Sequence, residues 1–311
     1  MIDRSQTDFT TSPVILASRV SQLALAQTEL VRRALGDMPT DILGLSTTGD
    51  EVLDRPLVEV GGKGVFIKTL EKALLDGRAD AAVHSLKDME TELAPGTEIG
   101  AVLPREDRGD ALVGPYKRLD DLPKGACIGT ASVRRAALLR HHRPDLDIGL
   151  LRGNVNSRIA RLDAGEFDAI SLAVAGLKRL QIDCSFTRLD EDIMPAAAAQ
   201  GTIAVQIAAG GDRALAVRAA LASIHCADTA DCVTAERAVL AALDGSCRTP
   251  ISAMADLDDS GSLTLKAAVL SADGRQKFTA ETKGSREQAD ELGTKLGETL
   301  LADCGGRSFL A

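Results

Sequence analysis

Arginines crowd the starts of two helical segments in this sequence. In GTASVRR (129–135) Ser132 has the type and position of an N-cap, which sets Arg134 and Arg135 in the first helical turn. Cations there oppose the helix dipole, whose N-terminal end is already partly positive. In LLRGNVNSR, Arg152 comes just before a second cap, Asn154, with Arg158 one turn on. VGGKGVF sets Lys63 ahead of a third helix, and Arg19 precedes Ser21 in LASRVSQLALAQ. Any one of these taken alone reads as a surface ion pair, worth about 0–1 kcal/mol. Their recurrence at strand-to-helix turns, which border the ligand crevice of open α/β sheets, points instead to bound anions. The planar guanidinium donates two parallel hydrogen bonds to a carboxylate, so a small molecule bearing several carboxylates fits the set.

Two further segments carry chemistry. HSLKD (84–88) ends a strand with Lys87 and Asp88 side by side. An Asp at a strand end is commonly a turn cap. Beside a cationic pocket it stays ionised and can stabilise a developing cation. His84, between apolar neighbours, reads as a core histidine rather than a base. Cys247 in LDGSCRTPIS lies in a turn next to Arg248, and a neighbouring cation favours thiolate. On those grounds alone it has only a small edge over the other five cysteines, which read as small buried apolar residues. A Ser/His/Asp triad, a GxxxxGK[ST] loop and a GxGxxG after the first strand are all missing from the sequence.

Elements that position these residues follow from periodicity. VILAS (14–18), a helix near 21–35, ILGLS (42–46), a helix from Phe66 that stops at Gly77, and AAVHS (81–85) alternate as strand and helix, which predicts a parallel sheet. In the first helix, Leu23, Leu30, Val31 and Leu35 are expected on the buried face. After Pro104 the pattern restarts, with strands at 126–130, 147–151 and 168–173 and helices at 132–142 and 154–164. TIAVQIA (202–208) is expected to return to the first sheet. A third region holds a helix ending at Gly245, strands at 251–257 and 263–270, and a last helix starting at Ser285, with Gln288 completing a capping box.

At roughly 100–200 residues per domain, 311 residues predict two or three domains. The net charge of −9 and the absence of Trp disfavour nucleic-acid binding and an anionic membrane surface. The N-terminus lacks an apolar signal-peptide core and no apolar run reaches membrane-spanning length, so the cytoplasm is expected. The six cysteines contain no CxxC pair and the four histidines no ligand spacing, so no metal is expected.

In this order the segments resemble the hydroxymethylbilane synthases, also called porphobilinogen deaminases. The motifs are RxSxLALxQ (19–27), GGKGxF (61–66), HSxKD (84–88), GTxSxRR (129–135), RGNVxxR (152–158), LAVAGLKRL (172–180), QG (200–201) and GxCxxPI (245–251). The resemblance implies an α/β fold of two periplasmic-binding-protein-like lobes plus a small α+β C-terminal domain. Its divisions are 13–105 with 202–222, 106–201, and 226–311. It implies a monomer that condenses four porphobilinogens, with loss of ammonia at each step, onto a dipyrromethane cofactor held by a thioether to Cys247, and then releases linear hydroxymethylbilane by hydrolysis. Asp88 matches the catalytic aspartate. Arg19, Ser21, Lys63, Ser85, Lys87, Thr130, Ser132, Arg134, Arg135, Arg152, Arg158 and Arg179 match residues that bind cofactor or substrate carboxylates. Phe66 would face the cofactor and Gln200 would lie near a hinge. Glu59, Glu90, Ala199 and Gln22 depart from the family pattern, and REDRGDA moves an arginine to Arg108, leaving Gly109 in its usual place. The alternative is a non-catalytic two-lobed binder of carboxylate-rich molecules, which would have no need of a third domain with GSCRTPI.

Overall fold

The structure, a computed structural model, describes residues 12–46, 67–245 and 249–310. It divides into two compact units, Met1–Arg105 with Thr202–Thr229, and Glu106–Gly201 with Ala230–Ala311.

The first unit is an α/β sheet. Strands β1 (Val14–Arg19), β2 (Thr40–Leu45) and β3 (Ala81–Ser85) run parallel, with helices α1 (Gln22–Ala34) and α2 (Lys68–Leu75) between them. The sheet is not wholly parallel, as the alternation alone had implied. β10 (Ile203–Ala208) returns from far along the chain and lies antiparallel between β3 and β4 (Thr97–Val102). β1 and β3 are buried strands of Val, Ile, Leu and Ala, as expected for strands covered on both faces.

α1 buries Val31, and Leu35 at its C-cap, as expected, but the stripe runs through other positions than Leu30. Ala24, Gln27, Thr28 and Val31 face the sheet, while Leu30 is exposed. Positions 24, 27, 28 and 31 follow the i, i+3, i+4, i+7 pattern, and Leu30 lies about 100° off that line. Polar residues are tolerated on the buried face because each finds a partner. Thr28 bonds Ser18 and the Ala24 carbonyl, and Gln27 bonds Ser85.

The second unit repeats the strand pattern. β6 (Cys127–Thr130), β7 (Asp147–Leu150) and β8 (Ala169–Ala173) are parallel, and β5 (Asp110–Val113) and β9 (Phe186–Arg188) complete the order β7-β6-β8-β5-β9. β5 is antiparallel to both its neighbours. Helices α3 (Val133–His142), α4 (Val155–Asp163) and α5 (Val174–Arg179) follow β6, β7 and β8 in turn. α6 (Asp212–Leu221) follows β10 in the first unit, α7 (Ala227–Ala242) precedes the C-terminal sheet of the second, and α8 (Ala289–Asp303) follows that sheet.

The same unit contains an antiparallel sheet of β11 (Ile251–Leu257), β12 (Ser262–Leu270) and β13 (Lys277–Ser285). α8 packs on it and crosses α7 at Gly293 and Gly297. A Cβ on Gly293 would collide with the Ala235 carbonyl oxygen, so backbone meets backbone there. The expected capping box does not form. A 3-10 turn, Arg286–Gln288, precedes α8, and Ser285 hydrogen-bonds the Glu287 carboxylate instead. Ala268 and Leu270 of β12 join the core under α3, so the two sheets of this unit share apolar packing.

Candidate functional site

In the first unit, β1 and β3 are parallel neighbours, so their C-terminal ends lie side by side. Arg19 ends one strand and Ser85 the other. Ser21 caps α1, its hydroxyl accepting from the Ala24 N–H at 3.4 Å. Lys87 and Asp88 sit in the 3-10 turn that follows β3, Lys87 half-buried and Asp88 exposed. Arg19, Ser21, Gln27, His84, Ser85 and Asp88 all line one hollow of about 60 Å³. A cation, a carboxylate and hydrogen-bonding hydroxyls therefore share one small space. Gln27 is a member that the motif contained but the sequence reading did not assign: its amide nitrogen lies 2.8 Å from Ser85 Oγ. The only available signal was a polar residue on the buried stripe of α1.

His84 is a core residue, as expected, with 6 % of its surface exposed. Burial lowers its pKa to about 4, against the opposing effect of a hydrogen bond to Gln206 and with help from the Arg19 charge. The imidazole is neutral at pH 7, and its Nε2 has no partner among the described residues.

In the second unit, Ser132 caps α3 and accepts from the Arg135 N–H at 3.4 Å, while Thr130 Oγ1 accepts from the Ser132 N–H at 3.2 Å. Asn154 caps α4 through the Ser157 N–H at 2.9 Å. Gly153, at φ 110°, makes the turn before it, and a side chain there would strike Ser157. Arg152 is buried before this cap, and Arg158 Nε donates to the Gly153 carbonyl at 2.8 Å.

Arg134 and Arg135 are buried, and the anion they meet is internal. Arg134 Nη2 lies 2.6 Å from Asp110 Oδ2, and Arg135 Nη2 lies 2.7 Å from Asp110 Oδ1. Burial alone would raise the Asp110 pKa. The charges and hydrogen bonds of both arginines outweigh it and hold the carboxyl well below the usual range. Gln200 Nε2 joins them, 2.9 Å from Asp110 Oδ1 and 2.7 Å from the Arg108 carbonyl. Arg179 Nη2 donates to the Gly201 carbonyl at 2.6 Å, and burial lowers its pKa against the Glu106 charge. Asp110 is the functional candidate that sequence reasoning missed, since within REDRGDA it reads as one more surface acid.

The structure thus brings together Arg19, Ser21, Ser85 and Asp88 in one unit, with Lys87 beside them, and Arg134, Arg135 and Gln200 in the other, with Thr130 and Ser132 at the cap above. Arg152 and Arg158 form a neighbouring helix start. Lys63, Phe66 and Cys247 lie outside the described residues, as does Glu59. Of the other departures from the family pattern, Arg108 pairs with Glu191 at 2.9 Å and Asp256 at 2.8 Å. The space of a side chain at Gly109 is taken by Arg188, whose Nε would lie 2.7 Å from a Cβ there.

Residues 14–216 match the family described as porphobilinogen deaminase, dipyromethane cofactor binding domain, and residues 230–302 match porphobilinogen deaminase, C-terminal domain. A porphobilinogen deaminase of Ralstonia nicotianae is 46% identical over 308 residues, covering 96% of this chain and 91% of the relative. One from Chromobacterium violaceum is 44% identical over 307 residues, covering 96% and 97%. Two solved structures that resemble the chain are remote from it in sequence. The VFT2 domain of Bordetella pertussis BvgS (double mutant) is 17% identical at a TM-score of 0.40, covering 74% of this chain and 95% of that one. The Escherichia coli aliphatic sulphonate binding protein SsuA is 13% identical at 0.39, covering 75% and 70%.

Proposed function

The chain belongs to the porphobilinogen deaminase family, and we propose that its two cationic sheet ends divide the work of that enzyme between reaction and carboxylate binding. The activity is hydroxymethylbilane synthesis, the deaminating condensation of four porphobilinogens followed by hydrolytic release of the linear product.

A covalent dipyrromethane, when bound, supplies the primer for this condensation. The donor set fits such a group. It bears acetate and propionate side chains, and the second unit holds two buried guanidiniums against one carboxylate, with Arg134 Nε unmet among the described residues. Arg134, Arg135, Arg152, Arg158, Thr130, Ser132 and Arg179 would hold its carboxylates, with Lys63, Lys87 and Phe66 beside it and Cys247 as the anchor. Gln200 supports the arginine pair through Asp110.

Asp88 is the catalytic residue in this reading. Ammonia leaves the aminomethyl carbon of porphobilinogen with the C–N bonding pair, and a cation remains on the substrate. An exposed carboxylate at the mouth of the hollow stabilises that cation and takes up the proton released when the new C–C bond forms. Arg19, Ser21 and Ser85 orient the substrate's own carboxylates beside it. The observation that carries the reading is that Asp88 and Arg19 open on the same hollow.

The divisions 13–105 with 202–222, 106–201 and 226–311 are the proposed domains, supported by three separate sheets. A cytoplasmic monomer that binds no nucleic acid completes the proposal. The charge of −9 supports the part of it that excludes nucleic acid.

Intact-protein mass spectrometry with peptide mapping tests the cofactor and its anchor together. Native protein is expected to carry a two-pyrrole adduct on Cys247 and to release ammonia from porphobilinogen, and Cys247→Ser to lose both. A bare polypeptide mass overturns the anchoring, and binding of porphobilinogen without ammonia release favours a plain binder.

A further inference from the structure

Asp110 is fully buried, and the side chains of Arg134, Arg135 and Gln200 converge on its two oxygens. Oδ1 takes Arg135 Nε at 3.0 Å, Arg135 Nη2 at 2.7 Å and Gln200 Nε2 at 2.9 Å, and Oδ2 takes Arg134 Nη2 at 2.6 Å. Two carbonyls satisfy the outer nitrogens. Arg134 Nη1 donates to Pro195 at 2.5 Å and Arg135 Nη1 to Ser171 at 3.1 Å. The two guanidiniums are thus fixed from both sides, and the carboxylate is their common hinge pin.

The charges do not balance. Among the described residues two arginines face one carboxylate, which leaves one positive charge in excess in a buried site. The remaining donor is also visible, since Arg134 Nε is buried and has no partner among the described residues. An uncompensated buried charge is costly, and the cost falls when one more anion arrives. Without Asp110 the excess would be two charges on side chains with nothing to hold their orientation.

We infer that Asp110 is a positioning residue for ligand carboxylates: it fixes Arg134 and Arg135 and cancels one of their charges, so that the pair accepts one carboxylate rather than two. This rests on the reading that the pair binds ligand carboxylates. Gln200 has the same task at one remove, holding Asp110 Oδ1 while tied to the Arg108 carbonyl. Asp110 touches no reacting atom. It acts through the arginines, and only its charge and shape matter.

Removing the side chain and restoring a small carboxylate tests this. In Asp110→Gly holoenzyme, kcat/KM for porphobilinogen is expected to fall about a hundredfold, the scale of a misplaced binding group. Sodium formate is expected to recover it at least severalfold. Sodium chloride at matched ionic strength and neutral formamide are expected to recover nothing. Equal recovery by formamide, or none by formate in a folded holoenzyme, overturns the inference. Should Asp110→Gly not fold, Asp110→Asn serves. It keeps the volume and loses the charge, and its thermal midpoint is expected to rise more in sulfate than in chloride, beyond any such difference in the wild type. An anion response like that of the wild type, with unchanged KM, overturns the inference. The underlying arginine reading fails separately. If Arg134→Gln loads cofactor fully and keeps its KM, the pair does not bind ligand carboxylates, whatever Asp110 does.

Discussion

β3 runs into an exposed Asp88, and β5 begins with a fully buried Asp110. The two sheets around them share one strand pattern, three parallel strands with an antiparallel strand inserted before the edge. In both, that inserted strand comes from outside the local βαβ run: β10 arrives late in the chain, and β5 precedes the parallel set. Yet the sheets handle charge in opposite ways. The first leaves its carboxylate and Arg19 open to a hollow, where a reacting group can reach them. The second closes its carboxylate between two arginines and uses it as scaffold. A fold that repeats its backbone need not repeat its chemistry, because the carboxylate near the strand ends is exposed in one sheet and buried in the other.

The largest expected effect sits at the open end. Asp88→Ala should lower kcat by roughly 10²–10⁴-fold, the range for a lost acid–base or electrostatic group. Its stability should stay within about 0.5 kcal/mol, since the side chain is exposed. Steady-state kinetics together with urea denaturation check both halves. An Asp88→Ala enzyme that turns over normally would sink the role of the first sheet end.

At the closed end the weighting should reverse. Arg135→Gln removes one partner of a buried ion pair and is expected to cost about 3–5 kcal/mol of stability. Arg19→Gln, half-buried at the hollow, should instead raise KM with stability nearly unchanged. Equal stability losses for the two would erase the contrast between open and closed ends.

Acid should act on the two units in different windows. His84, neutral in the fold with a pKa of about 4, is protonated more readily in the unfolded chain, whose value is near 6.5. The unfolded state therefore binds more protons between those values, and stability falls as pH drops from 6.5 towards 4. The shift corresponds to about 3 kcal/mol at its full extent. Asp110, held low by its arginines, keeps its contribution through that window and begins to lose it only below its unfolded value of about 3.8. Urea midpoints across pH in wild type and His84→Gln check this. The variant should flatten the curve between pH 6.5 and 4 and leave the steeper loss below it in place.

Much of this contrast could be read in the sequence, and the remainder had physical reasons to stay hidden. Ser21, Ser132 and Asn154 are caps because short polar side chains before an apolar period have few other uses. HSLKD and Arg19 were placed at strand ends by the runs of Val, Ile, Leu and Ala before them. β4, TEIGAV, has a glycine and polar positions and pairs at a sheet edge, so its period is weak. β9 spans three residues, too short for any pattern. Asp110 could not be found, because burial of a charge depends on partners 24, 25 and 90 residues away. Leu30 was misassigned because apolar character outweighed geometry, and the true stripe passes through Gln27 and Thr28.

The smallest effect compares the two serine caps. Ser21 and Ser132 each accept one backbone N–H at 3.4 Å, so each Ser→Ala change should cost about 1 kcal/mol, and each Ser→Gly only a few tenths. Lower urea midpoints with unchanged m-values would report that loss. Their functional consequences should differ. Ser21 lines the hollow beside Asp88, so Ser21→Gly should raise KM although it hardly alters stability. Ser132 stands at the start of the helix whose arginines are locked by Asp110, so Ser132→Gly should leave their geometry in place and change KM less. If Ser132→Gly raised KM as much as Ser21→Gly, the arginine pair would be held by its helix cap rather than by its buried carboxylate.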